Sequence, residues 1–231
     1  RTVALEAASR MIGTYDLNVL EAGAQLVDSD PGVELIALTA RSDNTANSKV
    51  KKDILARGPV RLVTVEGAGL DEAGPFTTAA ALAEGIESLG QVDLVLCGVG
   101  SGDLYSQQTG SIIGGLLGWP TLNEVGALEV GDGVVTVRRS AESSDEEYQV
   151  ALPCVLCVTA DINSPRVSSM KAILAAGKRP MDVVGFEAPP AGSTETLAVR
   201  APEKAARQGA VLPDASDANI DEFYRLLRRA L

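Results

Sequence analysis

An open α/β fold, its mostly parallel sheet covered by helices on both faces, is predicted by three observations on this sequence. Short apolar runs rich in β-branched residues alternate with segments of helical spacing through the first half of the chain. The runs are apolar at successive positions, as strands buried between two helical layers must be. A glycine-rich passage at 97–110 separates one such run from the next helical segment, the usual place for a ligand in a sheet of this class. Together these describe a Rossmann-like open sheet.

The elements follow in order. Leu17, Leu20 and Ala24 fall near one face of a helix over 17–26, and 33–39 (Val-Glu-Leu-Ile-Ala-Leu-Thr) is a short apolar strand. A helix over 48–57 ends at Gly58, a suitable C-terminal glycine. Residues 61–65 form the next strand, 77–86 an alanine-rich helix, 92–97 a strand and 109–117 a helix. After Trp119-Pro120 the pattern changes. Residues 128–137 read as a β-hairpin turning at Gly131-Asp132-Gly133, and 148–160 continue extended with an interruption at Pro153. Residues 161–180 are a loop with a short helix. From Ala188 the composition becomes Pro-, Gly- and Ala-rich, which marks a linker. A last helix over 220–231 places Ile220, Phe223, Tyr224, Leu227 and Leu231 on one stripe. Ser216 or Asp217 is its candidate cap, and Arg228 and Arg229 suit its C-terminal dipole. The predicted organisation is therefore an α/β body at 1–187, with a distinct loop at 161–180, followed by an extended arm and helix at 188–231.

Composition narrows the chemistry. The 231 residues suit one globular domain with a short appendage, and no stretch approaches the roughly 20 apolar residues of a membrane-spanning helix. There is no histidine, which removes histidine bases, histidine-containing triads and nearly every zinc catalytic site. Aromatic residues are 3% of the chain, too few for a stacking platform on single-stranded nucleic acid. The 20 basic and 31 acidic residues give a net charge of −11, which repels a phosphate backbone. Three cysteines in apolar runs make no disulfide framework, so a reducing cytoplasm is the expected compartment.

Four passages carry candidate function. In Cys97-Gly-Val-Gly-Ser-Gly-Asp-Leu-Tyr-Ser-Gln-Gln-Thr-Gly110 the glycines let the backbone approach a ligand, and the following helix N-terminus points its amides at an anion. Asp103 stands where a dinucleotide fingerprint has its third glycine, and a Walker lysine is absent, so nucleotide binding is supported and triphosphate hydrolysis is not. The pair Cys154 and Cys157 has redox spacing but lies in a strand, where residues three apart face opposite ways; two buried structural thiols are expected. Residues 161–180 hold Arg166, Lys171, Lys178 and Arg179 against Asp161, a net +3 that leaves −14 for the rest. Such a loop, with Met170 as a soft anchor, suits docking of an acidic partner or else is a solvated connection. The terminal helix either folds back on its own body or reaches a neighbouring subunit; the length of its linker favours the neighbour.

Four passages, in the same order along the chain, together resemble the beta subunit of electron transfer flavoproteins, and within it the Fix-type branch. They are Tyr15-Asp-Leu-Asn-Val-Leu-Glu-Ala22, Lys52-Asp-Ile-Leu-Ala-Arg-Gly-Pro59, the run from Asp93 to Gly110, and Asp161-Ile-Asn-Ser-Pro-Arg166 continuing into Ser169-Met-Lys-Ala-Ile-Leu174. The resemblance implies a heterodimer with an alpha subunit that carries the redox-active FAD, while this chain holds AMP or a second FAD. It places nucleotide contacts at Gly13, Thr14, Tyr15 and Asp16, near Ala40, and along Ser101, Gly102, Asp103, Leu104, Tyr105, Ser106, Gln107, Gln108, Thr109, Gly110, Ser111 and Ile112. Asp103, Ser106, Gln108 and Gly110 match the family's loop pattern, whereas Leu104-Tyr105 replace its usual Gly-Asp.

The resemblance also implies a recognition loop at 163–173 for an acyl-CoA-dehydrogenase-type partner, with Asn163, Arg166, Met170, Lys171 and Ile173 as contacts and Met170 as the apolar anchor. The arm at 188–231 is implied to embrace the alpha subunit. Members of the family have a strand and loop upstream of the point that matches Arg1, so one central strand of the sheet is expected to lie outside this sequence. On this reading the chain is an electron-carrier subunit and not itself an enzyme, with bifurcation through a second FAD as the sharper variant. The alternative is a stand-alone adenine-nucleotide-sensing protein of the universal-stress type.

Overall fold

A computed structural model describes residues 11–41, 48–102, 104–141, 144–187, 197–198, 200–203 and 209–230. Asp103, Leu231 and much of the predicted linker lie outside the described residues. Contacts divide the chain into a body, 8–196, and a second unit that contains 197–231.

The body begins with α1 (Thr14–Ser29), then β1 (Ile36–Arg41), α2 (Ser48–Leu55) and β2 (Arg61–Glu66). A 3₁₀ turn (Leu70–Glu72) leads to α3 (Pro75–Ser88), β3 (Leu94–Gly98) and α4 (Thr109–Leu117). There follow β4 (Thr121–Val125), β5 (Ala127–Val130), β6 (Val134–Ser140), β7 (Asp145–Ala151) and β8 (Cys154–Val158). A second 3₁₀ turn (Ala160–Ile162), α5 (Met170–Ala176) and β9 (Met181–Gly185) complete it.

Each helix and strand predicted over the first half is present, with shifted ends. The first strand starts at Ile36 rather than Val33, because Asp30-Pro31-Gly32 forms a turn in which the Gly32 N–H donates to Asp30 Oδ1 at 2.8 Å. Pro75 opens α3 at a position where its missing N–H costs nothing, and Gly118, at φ 68°, closes α4.

The α/β class stands, and the parallel strands form two groups of three: β1-β2-β9 and β3-β8-β4, with β2 and β8 central. Among the described residues no pairing joins β1 to β3. β3 and all of β1 but Ala37 are half-buried, whereas β8 is buried at every position. Helices hold the halves together. On one face α3 packs on β1, β2 and α4, approaching so closely that Gly85 abuts Val65 and Leu38. On the other, α1 packs on β3 and β8 while its later turns lie against Leu35 and Gly58. Alanines at 79, 81 and 83 make the α3 approach possible.

The predicted hairpin is β5-β6, and β7 extends it to a three-stranded antiparallel sheet. Its inner face, Val135 and Val137, packs on Cys154, Leu156 and Val158. Full burial of a side chain such as Leu156 contributes about 1.5–3 kcal/mol. The strand expected at the cysteine pair is β8, the pivot of a parallel sheet, as its run of five buried residues reflects; β4 and β9 are strands beyond those the sequence pattern indicated.

In the second unit, α6 (Asp217–Ala230) leaves Ile220, Phe223, Tyr224 and Leu227 exposed. Asp214 steadies its start, accepting from the Ser216 N–H at 2.9 Å and from Asn219 Nδ2 at 2.7 Å.

Candidate functional site

The candidate site forms where β3 ends and α1 begins. Gly98, the last residue of β3, lies against the first turn of α1, and a Cβ there would be 2.7 Å from Tyr15 Cβ. Glycine is required at this approach because no side chain fits between strand end and helix. Gly13 precedes α1 in an extended conformation and accepts the Leu17 N–H at 3.0 Å, while Asp16 places a carboxylate in the first turn, where the helix dipole favours it.

The segment after Gly98 folds back over this junction. Val99 continues the ladder by donating to Val158 O at 2.9 Å. The Tyr105 ring rests on Gly100 and against Tyr15, with ring centroids 5.6 Å apart and planes inclined by 31°. Tyr105 N–H donates to Ser101 Oγ at 3.3 Å, and Tyr105 and Gln107 both adopt left-handed backbone, φ 46° and 56°. Non-glycine residues held there cost energy that tertiary contacts must offset. The Tyr105 hydroxyl is pushed above its ordinary value by its hydrogen bond to Tyr15, then by desolvation and by nearby charge including Glu124.

The run then enters α4. Gln108 is its N-cap and accepts the Ile112 N–H at 2.9 Å; Gly110 is buried against Cys157 and Cys97. Ser111 accepts from Asn123 Nδ2 at 3.0 Å, which ties α4 to β4. Thr14, Ser101, Gly102, Leu104, Ser106, Gln107, Gln108 and Ser111 are exposed, so polar donors and acceptors line an open surface. From 98 to 112 there is no lysine or arginine, so backbone amides and hydroxyls are the groups that would meet an anion. A close-approaching glycine turn, an aromatic pair and a helix start thus meet at this strand end.

Not every predicted residue meets there. Ala40 lies on β1, in the other parallel group, paired with Val65 and with its side chain packed in the core beside Val65, Leu70, Ala81 and Phe186. Asp103 lies outside the described residues. Two features went unforeseen. Arg41, next to Ala40, pairs with Glu66 and keeps Nε and Nη1 buried without a hydrogen-bond partner. Glu124 sits in left-handed backbone at φ 61°, at an irregularity in β4. The adjacent cation at a strand end was the available signal for Arg41; nothing in the sequence marked Glu124.

The cysteines behave as strand residues. Cys154 faces the hairpin and Cys157 faces Gly110, on opposite sides of β8, and all three are free thiols. Burial pushes Cys154 and Cys157 up to about 11 and Cys97 higher still. Among the described residues no cluster of His, Cys, Asp or Glu could hold a metal, and no helix is long and apolar enough to cross a membrane.

The 161–180 segment divides between inward and outward residues. Arg166 Nε donates to Glu21 Oε2 at 2.7 Å and Nη2 to Asp28 Oδ2 at 2.8 Å, while Asn163 bonds Asn18. Arg179 donates to the carbonyls of Leu55, Gly58 and Pro59 and so caps the end of α2. Ser169 caps α5, accepting the Ala172 N–H at 3.1 Å. Ile173 is half-buried, whereas Lys171 and Lys178 are exposed. Val167, Met170 and Leu174 stand 92%, 74% and 73% exposed. Two of the four basic residues are thus committed to the body itself.

The sequence model described as the electron transfer flavoprotein domain matches residues 2–189, a span that takes in both parallel sheets, the hairpin and the 161–180 segment. The family implies a flavin or adenine-nucleotide cofactor, a heterodimeric partner and electron carriage rather than catalysis. With the match covering most of its length, the chain belongs to the electron transfer flavoprotein domain family.

Proposed function

We propose that this chain is the beta-type subunit of an electron transfer flavoprotein of the Fix-type branch. It binds an adenine nucleotide, AMP or a second FAD, and carries electrons as a heterodimer with an alpha subunit that holds the redox-active FAD. The single observation that carries this reading is the junction of Gly98, Tyr15 and the Tyr105 loop at the carboxyl end of a parallel strand. The nucleotide would be held by the loop from Ser101 to Ile112 and the first turn of α1, with phosphates facing amides and hydroxyls. A flavin supplies the one- and two-electron chemistry; the chain supplies binding and electrostatics. In this reading 1–187 is the nucleotide-binding domain and 188–231 an arm whose apolar helix stripe packs on the alpha subunit. The segment 163–173 docks an acyl-CoA-dehydrogenase-type partner through Met170.

Co-expression with the alpha-type subunit, followed by a visible spectrum and nucleotide extraction, tests the proposal. A yellow one-to-one complex supports it, and its nucleotide content distinguishes two FAD, the bifurcating form, from one FAD with one AMP. Two proteins that never associate refute it and favour a stand-alone nucleotide-binding protein.

A further inference from the structure

Helix α1 serves two places in the body. Its first turn meets Gly98 at the candidate nucleotide site, and its second turn carries two polar residues that are almost fully buried, Asn18 at 2% and Glu21 at 5% exposure. Buried polar groups persist only where partners satisfy them, and here the partners come from 160–166, apart from Gln25 Nε2 on α1 itself, which donates to Glu21 Oε1 at 3.0 Å. Asn18 Nδ2 donates to the carbonyls of Ala160 at 3.1 Å and Asn163 at 2.9 Å, and Asn163 Nδ2 returns a bond to Asn18 O at 3.0 Å. Glu21 Oε2 accepts the Arg166 backbone N–H at 3.0 Å and its Nε at 2.7 Å, and Oε1 accepts Nη2 at 3.0 Å. Arg57 adds a bond to Arg166 O at 2.7 Å. One carboxylate therefore holds both the backbone and the guanidinium fork of a single residue, which fixes its place and its orientation.

We propose that Asn18 and Glu21 are positioning residues for the docking segment. They fix the chain from Asn163 to Arg166, so that it leaves the body in one direction and presents Met170 and Leu174, four apart on one face of α5, with Val167 just before them. Arg166 is then the anchor of the segment, not part of its contact face. This inference rests on the reading of 163–173 as the docking segment.

The test compares Glu21→Gln and Asn18→Ser with Asp28→Asn, which touches only the exposed side of the same guanidinium. Hydrogen exchange on the full chain reads the amides of 163–169. Reduction of the flavin-loaded heterodimer by an acyl-CoA-dehydrogenase-type donor reads KM and kcat. Loss of the charged bonds is expected to speed exchange at 163–169 roughly tenfold or more in Glu21→Gln and to leave β8 unchanged. KM for the donor is expected to rise several-fold with kcat held, and Asp28→Asn to stay close to the parent on both. Unaltered exchange overturns the proposal by removing the clamp, and leaves the docking reading intact. Faster exchange with unaltered KM overturns it by removing docking from this segment.

Discussion

Replacing Gly98 by alanine tests how tightly the candidate site is built. The added Cβ would lie 2.7 Å from Tyr15 Cβ and 3.4 Å from the Tyr15 carbonyl carbon. Non-bonded carbons settle at about 3.5–4.0 Å, so the nearer contact is short by roughly 0.8 Å. Neither atom can swing away, because both belong to the first turn of α1 and not to the far end of a side chain. Strand or helix must shift, and overpacking of this kind costs about 1–3 kcal/mol. The smaller entropy of an unfolded chain with alanine offsets about 0.4–1 kcal/mol of that. With an m-value of about 2–3 kcal/mol/M, the urea midpoint is expected to fall by up to roughly 1 M. Gly115 is the internal control. It lies in α4, and a Cβ there meets nothing within 4 Å, so Gly115→Ala is expected to stabilise by about 0.5–1 kcal/mol. Near-ultraviolet circular dichroism follows the Tyr15–Tyr105 pair in both variants. If Gly98→Ala unfolds at the parent midpoint with an unchanged tyrosine signal, α1 does not start on this strand end and the site is misconceived.

Two further outcomes follow from the buried groups. Burial raises the Glu21 carboxyl, but the hydrogen bonds and charge of Arg166 outweigh it and hold the group below its ordinary 4.5. Its contribution to stability is therefore complete above that value and lost as pH falls through the lower, folded one. Urea titrations at about pH 7 and about pH 3.5 are expected to differ less in Glu21→Gln than in the parent; an equal difference removes the carboxylate from the acid limb. The three thiols, all raised by burial, are expected to resist iodoacetamide at about pH 8 in the folded chain and to react fully in denaturant, as an intact mass reads directly. Rapid alkylation of Cys157 without denaturant would mean that β8 is not the closed centre of its sheet.

The α/β class and seven elements of the first half were legible because hydrophobic period is local. Pairing is not. The run from Cys154 to Val158 is apolar on both faces, the signature of a central parallel strand, yet its partners lie 60 positions back in β3 and 33 or 34 back in β4, with a hairpin in between. At the site, glycines and hydroxyls announced themselves by composition, whereas the Tyr15–Tyr105 contact joins two residues 90 apart. Asn18 and Glu21 were hidden for another reason. Polar residues on a helix normally mean a solvated face, and only the fold shows that this face is covered by 160–166. For the same reason the +3 charge of 161–180 overstated what a partner meets, since Arg166 and Arg179 are bonded to groups of the body itself and Lys171 and Lys178 remain outside.

The doubled use of α1 has a mechanical consequence. Tyr15 and Asn18 are three residues apart, about 4.5 Å along the axis. A helix hydrogen-bonded through that interval does not absorb a displacement of its first turn within one turn; it moves as a body or frays. Whatever shifts Tyr15 away from Gly98 therefore acts also on Asn18 and Glu21, and through them on Asn163 and Arg166. A perturbation of equal size at Gly100 is different in kind, because the nearest atoms a Cβ there meets belong to the Tyr105 ring, part of a side chain, and not to α1. Gly98→Ala should then quicken hydrogen exchange at 163–166, where Gly100→Ala should not. That contrast separates a site and a docking segment that share one rigid helix from two features that merely lie at the same end of a sheet.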